Sequence, residues 1–183
     1  GATVTDMMFK DANTGYAIGN LNYFAYTTNG GITWTQSNSS SIRGQRDLEY
    51  ESGAVYTAGD YNYIYKSSNN GMTWDSLEFY DNSNVNQPSP NTIIYGLDVN
   101  GNDLAIVGTN GAVTISDDGG AIWRNKNYSV NPNTTLYSSM YVASPTGNIW
   151  VGPSGGGNLL FSTNGGTNWS TQTTSHTRSV FAI

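Results

Sequence analysis

Thr27-Thr-Asn-Gly-Gly-Ile-Thr-Trp34 shares an eight-residue frame with three later stretches: Ser67-Ser-Asn-Asn-Gly-Met-Thr-Trp74, Ser116-Asp-Asp-Gly-Gly-Ala-Ile-Trp123 and Ser162-Thr-Asn-Gly-Gly-Thr-Asn-Trp169. Ser or Thr opens the frame, Asn or Asp is third, Gly fifth and Trp eighth. Each position answers a physical demand. A short Asn or Asp side chain bonds backbone N–H groups just after it and stabilises a turn locally, while Gly takes the positive φ that a side chain resists. The Trp opens the next strand with a large apolar face to bury and an N–H that seeks a partner. The structural positions are therefore Thr27, Asn29, Gly31, Trp34, Ser67, Asn69, Gly71, Trp74, Ser116, Asp118, Gly120, Trp123, Ser162, Asn164, Gly166 and Trp169.

The four tryptophans lie 40, 49 and 46 residues apart, the length of one four-stranded propeller blade. Upstream of every turn stands a short apolar run ending in Gly: Gly15-Tyr-Ala-Ile-Gly19, Val55-Tyr-Thr-Ala-Gly59, Leu104-Ala-Ile-Val-Gly108 and Ile149-Trp-Val-Gly152. From that Gly to the turn is 8 positions three times and 10 in the fourth, where Gly155 to Gly157 form an insertion. Such fixed spacing is hairpin geometry, and Asn110-Gly111 is a strong type I′ signal at the matching place. A third apolar segment precedes each run, at 4–9, 48–50, 93–99 and 136–142, so each repeat reads as strands A, B, C and D. The fold expected is all-β, a single β-propeller domain over 1–183 with blades at roughly 3–38, 42–78, 92–127 and 135–173. It is either a four-bladed ring or part of a larger one. Residues 179–183 read as an extra inner strand, and the exposed flanks of an unclosed ring call for a partner chain or self-association.

Only 11% of residues are charged and 13% are aromatic, with Gly, Asn, Ser and Thr abundant, which is a strand-and-turn composition. The net charge of −6 comes without any Lys/Arg cluster, so nucleic acid is not an expected partner. No apolar run approaches the roughly 18–20 residues of a transmembrane helix. The absence of Cys removes thiolate metal sites and disulfides. Few Lys and Glu among many polar and Tyr residues points to a secreted or cell-surface protein of bacterial type. The chain begins at Gly1 with neither an initiator Met nor a signal-peptide pattern, as a mature, processed or excised piece would.

The four turns, together with the opening stretch from Val4 to Gly19, resemble the Asp-box (bacterial neuraminidase repeat) β-propeller superfamily. The branch most similar is the one typified by the photosystem II stability and assembly factor family, whose repeats run F-x-D-x-x-x-G-Y-A-V-G and then T-x-D-G-G-x-T-W. The resemblance covers nearly the whole chain. It is specific for fold and not for function, since the superfamily holds sialidases, xyloglucan-cleaving hydrolases, sortilin-type receptors and assembly factors. Here Ile122 and Asn168 stand where the family has Thr, and Asn29, Asn69 and Asn164 where it has Asp. The turns therefore read as structural and not as metal sites.

A sialidase would need an arginine triad, and Arg43, Arg46, Arg124 and Arg178 are the only arginines, without the Arg-Ile-Pro element the resemblance would imply. Another glycosidase needs two carboxylates about 5–10 Å apart. Asp47, Glu49, Glu51, Asp60, Glu78 and Asp81 are available, and ordinary solvated acids are the plainer reading. Gly152-Pro-Ser-Gly-Gly156 matches a nucleophile elbow in letters only, because no helix follows it. His176 is the only histidine, so no cluster of imidazoles can hold a metal. No catalytic residue, metal or cofactor is assigned. The D-to-A connections vary in length, and with the B-to-C turns they share one face of the propeller. Candidate ligand residues on that face are Arg43, Arg46, Asp60, Tyr61, Lys126, Tyr128, His176 and Arg178, a set able to bind sugars or carboxylates by stacking and bidentate bonds. The function expected is a non-catalytic module binding a protein or glycan. The alternatives are a fragment of an Asp-box glycoside hydrolase, sialidase- or xyloglucanase-like, and an assembly factor for a membrane complex.

Overall fold

A computed structural model describes residues 1–37, 42–77, 92–126, 136–142 by their backbone, 147–154 and 158–173. Among the described residues, sixteen strands form four antiparallel four-stranded sheets, each a meander in chain order. The first contains β1 (Val4–Phe9), β2 (Gly15–Gly19), β3 (Phe24–Thr27) and β4 (Thr35–Ser37). The second contains β5 (Gln45–Glu51), β6 (Ala54–Gly59), β7 (Ile64–Ser67) and β8 (Asp75–Leu77). The third contains β9 (Ile94–Asn100), β10 (Asp103–Gly108), β11 (Val113–Ser116) and β12 (Arg124–Asn125). The fourth contains β13 (Leu136–Val142), β14 (Asn148–Pro153), β15 (Asn158–Ser162) and β16 (Ser170–Thr173). These are propeller blades. Strands β2 and β6 are buried from end to end, whereas β4 and β16 at the rim are polar and mostly exposed. Strand β6 lies between blades, and β2 lies between blade 2 on its Tyr16 and Ile18 face and side chains of its own sheet, such as Phe9 over Gly15, on the other.

Three apolar layers join consecutive blades. Tyr16, Ile18 and Phe24 of blade 1 meet Leu48, Val55 and Tyr65 of blade 2. Tyr56, Ala58 and Ile64 then meet Leu97, Leu104 and Ile106 of blade 3, and Ala105, Val107 and Ile115 meet Ile149, Val151 and Leu160 of blade 4. The inner strands β1, β5, β9 and β13 follow one another around the axis, and among the described residues no comparable packing joins β13 back to β1. Among the described residues, no blade packs on the face of blade 1 that carries Met7. Met7 is 60% exposed, while Leu48 and Leu97, at the same register in β5 and β9, are 3% and 2% exposed.

The glycine that ends strand B is required by a close approach. A Cβ on Gly19, Gly59 or Gly108 would stand 2.2, 2.1 or 2.2 Å from the carbonyl oxygen of Thr3, Gly44 or Ile93. In blade 4 the register corrects the expected anchor: Pro153, not Gly152, lies opposite the first residue of the inner strand. The N–H of Gly19, Gly59 and Gly108 closes the B-to-C hairpin onto Tyr23, Tyr63 and Ala112, a bond that a proline cannot donate. The longer spacing already present in the sequence is thus shared between one extra residue of β14 and the Gly-rich connection.

Each eight-residue turn is held by its own first and third side chains. Ser116 Oγ accepts from Gly120 N at 2.9 Å and donates to Asp118 Oδ1 at 2.8 Å, and that carboxylate accepts from Ile122 N at 2.8 Å. Thr27, Ser67 and Ser162 do the same in their blades. The departures from the family pattern also find a reason. Asn29 and Asn69 donate through Nδ2 to the hydroxyls of Thr33 and Thr73, whereas Asp118, with nothing to donate, faces Ile122, which has nothing to accept with. All four tryptophans were expected to be largely buried; none is exposed, and Trp123, at 2% exposed, is the most deeply enclosed. The others are half-buried at the rim, where Trp74 and Trp169 pack on the blade before their own. Trp74 stands edge-on to Phe24 at 5.0 Å, and Trp169 donates from Nε1 to the Lys126 carbonyl at 3.2 Å. Trp34 packs edge-on against Phe9 of its own sheet, with ring centres 5.9 Å apart.

Candidate functional site

Every inner strand carries the same irregularity near its start. Val4 and Asp6 pair with consecutive residues Gly19 and Ile18, so Thr5 is an extra residue, and Arg46, Tyr95 and Tyr137 are the extra residues of β5, β9 and β13. Such bulges re-aim a side chain and cluster beside functional sites. They stand at the end of the blades where strand B turns into strand C. Asp60 N bonds Gly44 O at 3.0 Å and Thr109 N bonds Ile93 O at 3.0 Å, which ties each B-to-C turn to the segment leading into strand A.

Blade 2 builds most of what this face offers. Arg46 Nε donates to Asp60 Oδ1 at 2.8 Å, and its guanidinium lies 5.0 Å from the centre of the Tyr95 ring in the next blade. Asp60 hangs directly over Gly44, whose φ of +32° and lack of a side chain make the room. Arg43, exposed, stands 5.8 Å from the Tyr63 ring centre, and Tyr63 stacks on Tyr65 at 5.7 Å. The backbone beneath Arg43 is fixed from the core. Thr57 Oγ1 donates to Gln45 Oε1 at 2.8 Å, and Gln45 Nε2 donates in turn to the Arg43 carbonyl. Among the described residues no carboxylate comes within ion-pair distance of Arg43. Its planar donors are set on an aromatic ladder, in a form suited to bidentate bonds with a carboxylate.

Arg43, Arg46, Asp60 and Tyr61 are therefore brought together on one face. Lys126 stands elsewhere in the scheme, its Cβ packed beneath Gly166 in the turn of blade 4 and its carbonyl holding Trp169. Tyr128, His176 and Arg178 lie outside the described residues, as do Glu78 and Asp81 and the extra strand expected at 179–183. Sequence reading missed Tyr63 and Tyr95. Aligning the inner strands on the B-strand glycine would have exposed the bulge and so paired Arg46 with Tyr95.

The inner strands also carry acids. Asp6 and Asp47 occupy equivalent register positions on β1 and β5, with Glu49 two residues further along β5 and Asp98 on β9. Asp47 accepts from Leu48 N at 3.0 Å through Oδ1 and from Leu97 N of the next blade at 2.6 Å through Oδ2, while its carboxyl meets that of Asp6. Burial raises Asp47 to about 7 against the pull of those N–H groups, with the Asp6 charge adding to the rise. Burial, then the charges of Asp47 and Asp98, raises Glu49 to about 8. Asp47 is thereby a clamp between blades 2 and 3. No group of three or more His, Asp or Glu among the described residues could hold a metal ion, and no helix there is long and apolar enough to cross a membrane.

Four antiparallel blades with side-chain-locked turns and a bulged loop face define an Asp-box β-propeller. The chain belongs to the family described as photosynthesis system II assembly factor YCF48, whose profile matches residues 1–125. Among solved structures it is similar to YCF48 from Cyanidioschyzon merolae, with 18% identity and a TM-score of 0.68 over 99% of this chain and 59% of that one. The chain thus spans about three-fifths of that relative. It is also similar to YCF48 bound to D1 peptide, with 14% identity and a TM-score of 0.55 over 93% of this chain and 82% of that one. An ancestral GH74 enzyme shares the fold at 19% identity and a TM-score of 0.70, over 96% of this chain and 24% of the enzyme. No curated protein sequence matches it.

Proposed function

We propose that this chain is a non-catalytic propeller module that binds an extended polypeptide through its loop face, seating a carboxylate of that polypeptide on Arg43. The observation that carries the reading is the Arg43 guanidinium, exposed over Tyr63 with no carboxylate near it among the described residues, beside an Arg46 already engaged by Asp60. Membership of the YCF48 family and the fold shared with a YCF48 bound to D1 peptide support a protein partner. The wider setting we infer is an assembly factor for a membrane complex, working in an exported or cell-surface location as the composition suggests. A glycan is the less favoured ligand, because Arg43 covers the Tyr63 ring on which a sugar would stack. Hydrolase activity is less favoured too, since both oxygens of Asp47 already accept backbone N–H groups.

Fluorescence polarisation with the D1 peptide, with panels of free-acid and amidated peptides, and a glycan array test the reading. Carboxylate-dependent peptide binding that falls about tenfold in Arg43→Ala is the expected result. Glycan binding alone, or peptide binding indifferent to Arg43, would overturn it.

Self-association is part of the same proposal. The face of blade 1 carrying Met7, Phe9 and Trp34 matches in register the faces that blades 2, 3 and 4 bury. We assign its occupant to the trailing face of blade 4 in a second copy, where Trp150, Leu159 and Phe161 are half-buried. Sedimentation of the chain and of Met7→Ser checks this: dissociation in the variant supports it, and a monomeric parent chain refutes it.

A further inference from the structure

The B-to-C turns of blades 1, 2 and 3 are one object built from three different residue pairs. Each is a two-residue hairpin closed by an i to i+3 bond: Tyr23 N to Asn20 O, Tyr63 N to Asp60 O, and Ala112 N to Thr109 O. Both central residues are left-handed in every case. Leu21 and Asn22 have φ of 54° and 63°, Tyr61 and Asn62 have 62° each, and Asn110 and Gly111 have 60° and 69°. This is the type I′ turn that Asn-Gly satisfies with least strain, and blade 3 uses that pair. Blades 1 and 2 keep Asn at the second position and place Leu and Tyr at the first, where a bulky side chain presses on its own backbone.

Packing does not repay that strain. Leu21 is 77% exposed and Tyr61 is 59% exposed, at the tips of their turns. The turns stand beside the segments leading into the inner strands, since Asn20 N bonds Thr3 O and Asp60 N bonds Gly44 O. Both tips consequently share the end of the propeller that carries Arg43 and the bulged Arg46. Strained residues that the surrounding fold holds in place without burying them mark contact sites.

We propose that Leu21 and Tyr61 are partner-contacting side chains, which receive an apolar residue of the polypeptide whose carboxylate Arg43 takes. The inference rests on the proposed function and deepens it: the ligand is amphipathic, with an acidic group or free C-terminus spaced from an aliphatic or aromatic side chain. A Leu tip offers a sugar no hydrogen bond, so the pair of tips favours a polypeptide over a glycan.

Leu21→Asn and Tyr61→Asn test it, because Asn tolerates the left-handed region. If the strain is real, each substitution raises the thermal midpoint by about 2–4 °C, so the variants report on folding directly. Random peptides displayed on phage are selected on the unaltered chain and then measured against the double variant and against Arg43→Ala. Selected peptides should pair an acidic with an apolar position and bind the stabilised double variant at least about tenfold more weakly. Peptides that need Arg43 but bind the double variant equally would overturn this inference and leave the proposed function standing. Peptides that need the tips but not Arg43 would uphold the contact role and overturn the carboxylate seat. Failure to select any peptide, or glycan binding alone, overturns both, and unchanged thermal midpoints remove the strain on which the tips were chosen.

Discussion

Ser116→Ala isolates the bond that locks an Asp-box turn. Ser116 is fully buried, and its hydroxyl both accepts from the buried Gly120 N–H at 2.9 Å and donates to Asp118 Oδ1 at 2.8 Å. An Ala leaves the Gly120 N–H without its acceptor, and an orphaned buried donor costs about 1–3 kcal/mol. The Asp118 carboxylate is exposed and regains water, so that lost bond adds at most about 1 kcal/mol. The sum is about 1–4 kcal/mol, or a thermal midpoint lower by about 2–16 °C for a chain of this size. Urea unfolding followed by tryptophan fluorescence should show the midpoint move with the slope unchanged. Ser68→Ala, at the exposed second position of its box, is the control and should stay within about 0.5 kcal/mol. Asp118→Asn should be nearly neutral, because Asn29, Asn69 and Asn164 fill the same post. A Ser116→Ala protein as stable as its parent would refute the claim that side chains, and not the hairpin alone, hold these turns.

Gly59→Ala should cost at least about 1–3 kcal/mol, because its Cβ meets the Gly44 carbonyl, and circular dichroism melting measures the loss. Stability should fall as pH rises from about 4 to about 8, since Asp47 and Glu49 hold their protons more tightly folded than unfolded and unfolding releases them across that window. Melts of Asp47→Asn across the same range should show a flatter decline, because the amide keeps an acceptor for Leu97 N and carries no charge against Asp6. Arg43→Ala should leave the melting midpoint unchanged, whereas Arg46→Ala should lower stability by about 0.5–1 kcal/mol through its half-exposed Asp60 pair and its contact with Tyr95.

What could be seen in the sequence was what is local. The boxes were legible because their bonds run between residues two and four apart, as from Ser67 to Asn69 and Gly71. The B-strand glycines were legible in blades 1 to 3 because one backbone contact enforces them. The anchor of blade 4 was misread because Gly152 imitates a glycine whose place Pro153 occupies, and only pairing with Leu136 reveals the shift. The degree of Trp burial was not legible, because Trp74, Trp123 and Trp169 pack on the blade before their own, a partner some forty residues away. That Arg43, Arg46, Asp60 and Tyr61 share one face could be read from their place between strands. The parts of Tyr63 and Tyr95 could not, because Arg46 meets Tyr95 only through the bulge register and Arg43 meets Tyr63 only once the segment before β5 lies beside the B-to-C turn, and no motif marks either.

The two ends of the blades obey different rules, and this explains why side chains vary from blade to blade at the loop end. At the box end, the third residue after each Trp meets the next blade's turn. Ser37 Oγ donates to Gly71 O, Leu77 lies under Gly120, and Lys126 packs under Gly166. Three unlike side chains fill one post, because what the post requires is contact with a bare glycine and not a particular chemistry. Nearest-neighbour coupling of this kind fixes blade spacing from the rim, as Asp47 does near the axis by gripping Leu97 N. The loop face adds its own links between blades, Thr5 Oγ1 to Gln45 O, Asn62 N to Thr92 O and Arg46 over Tyr95, but none of them runs through the side chains of Leu21, Tyr61 or Arg43. Its hairpins need only two left-handed residues and a glycine, a demand that Asn110-Gly111 meets fully and Leu21 and Tyr61 meet at a cost. Side chains that take no part in those links are free to vary, so the tips can be strained and Arg43 can stand, among the described residues, without an acid partner, which is what the proposed ligand contacts require.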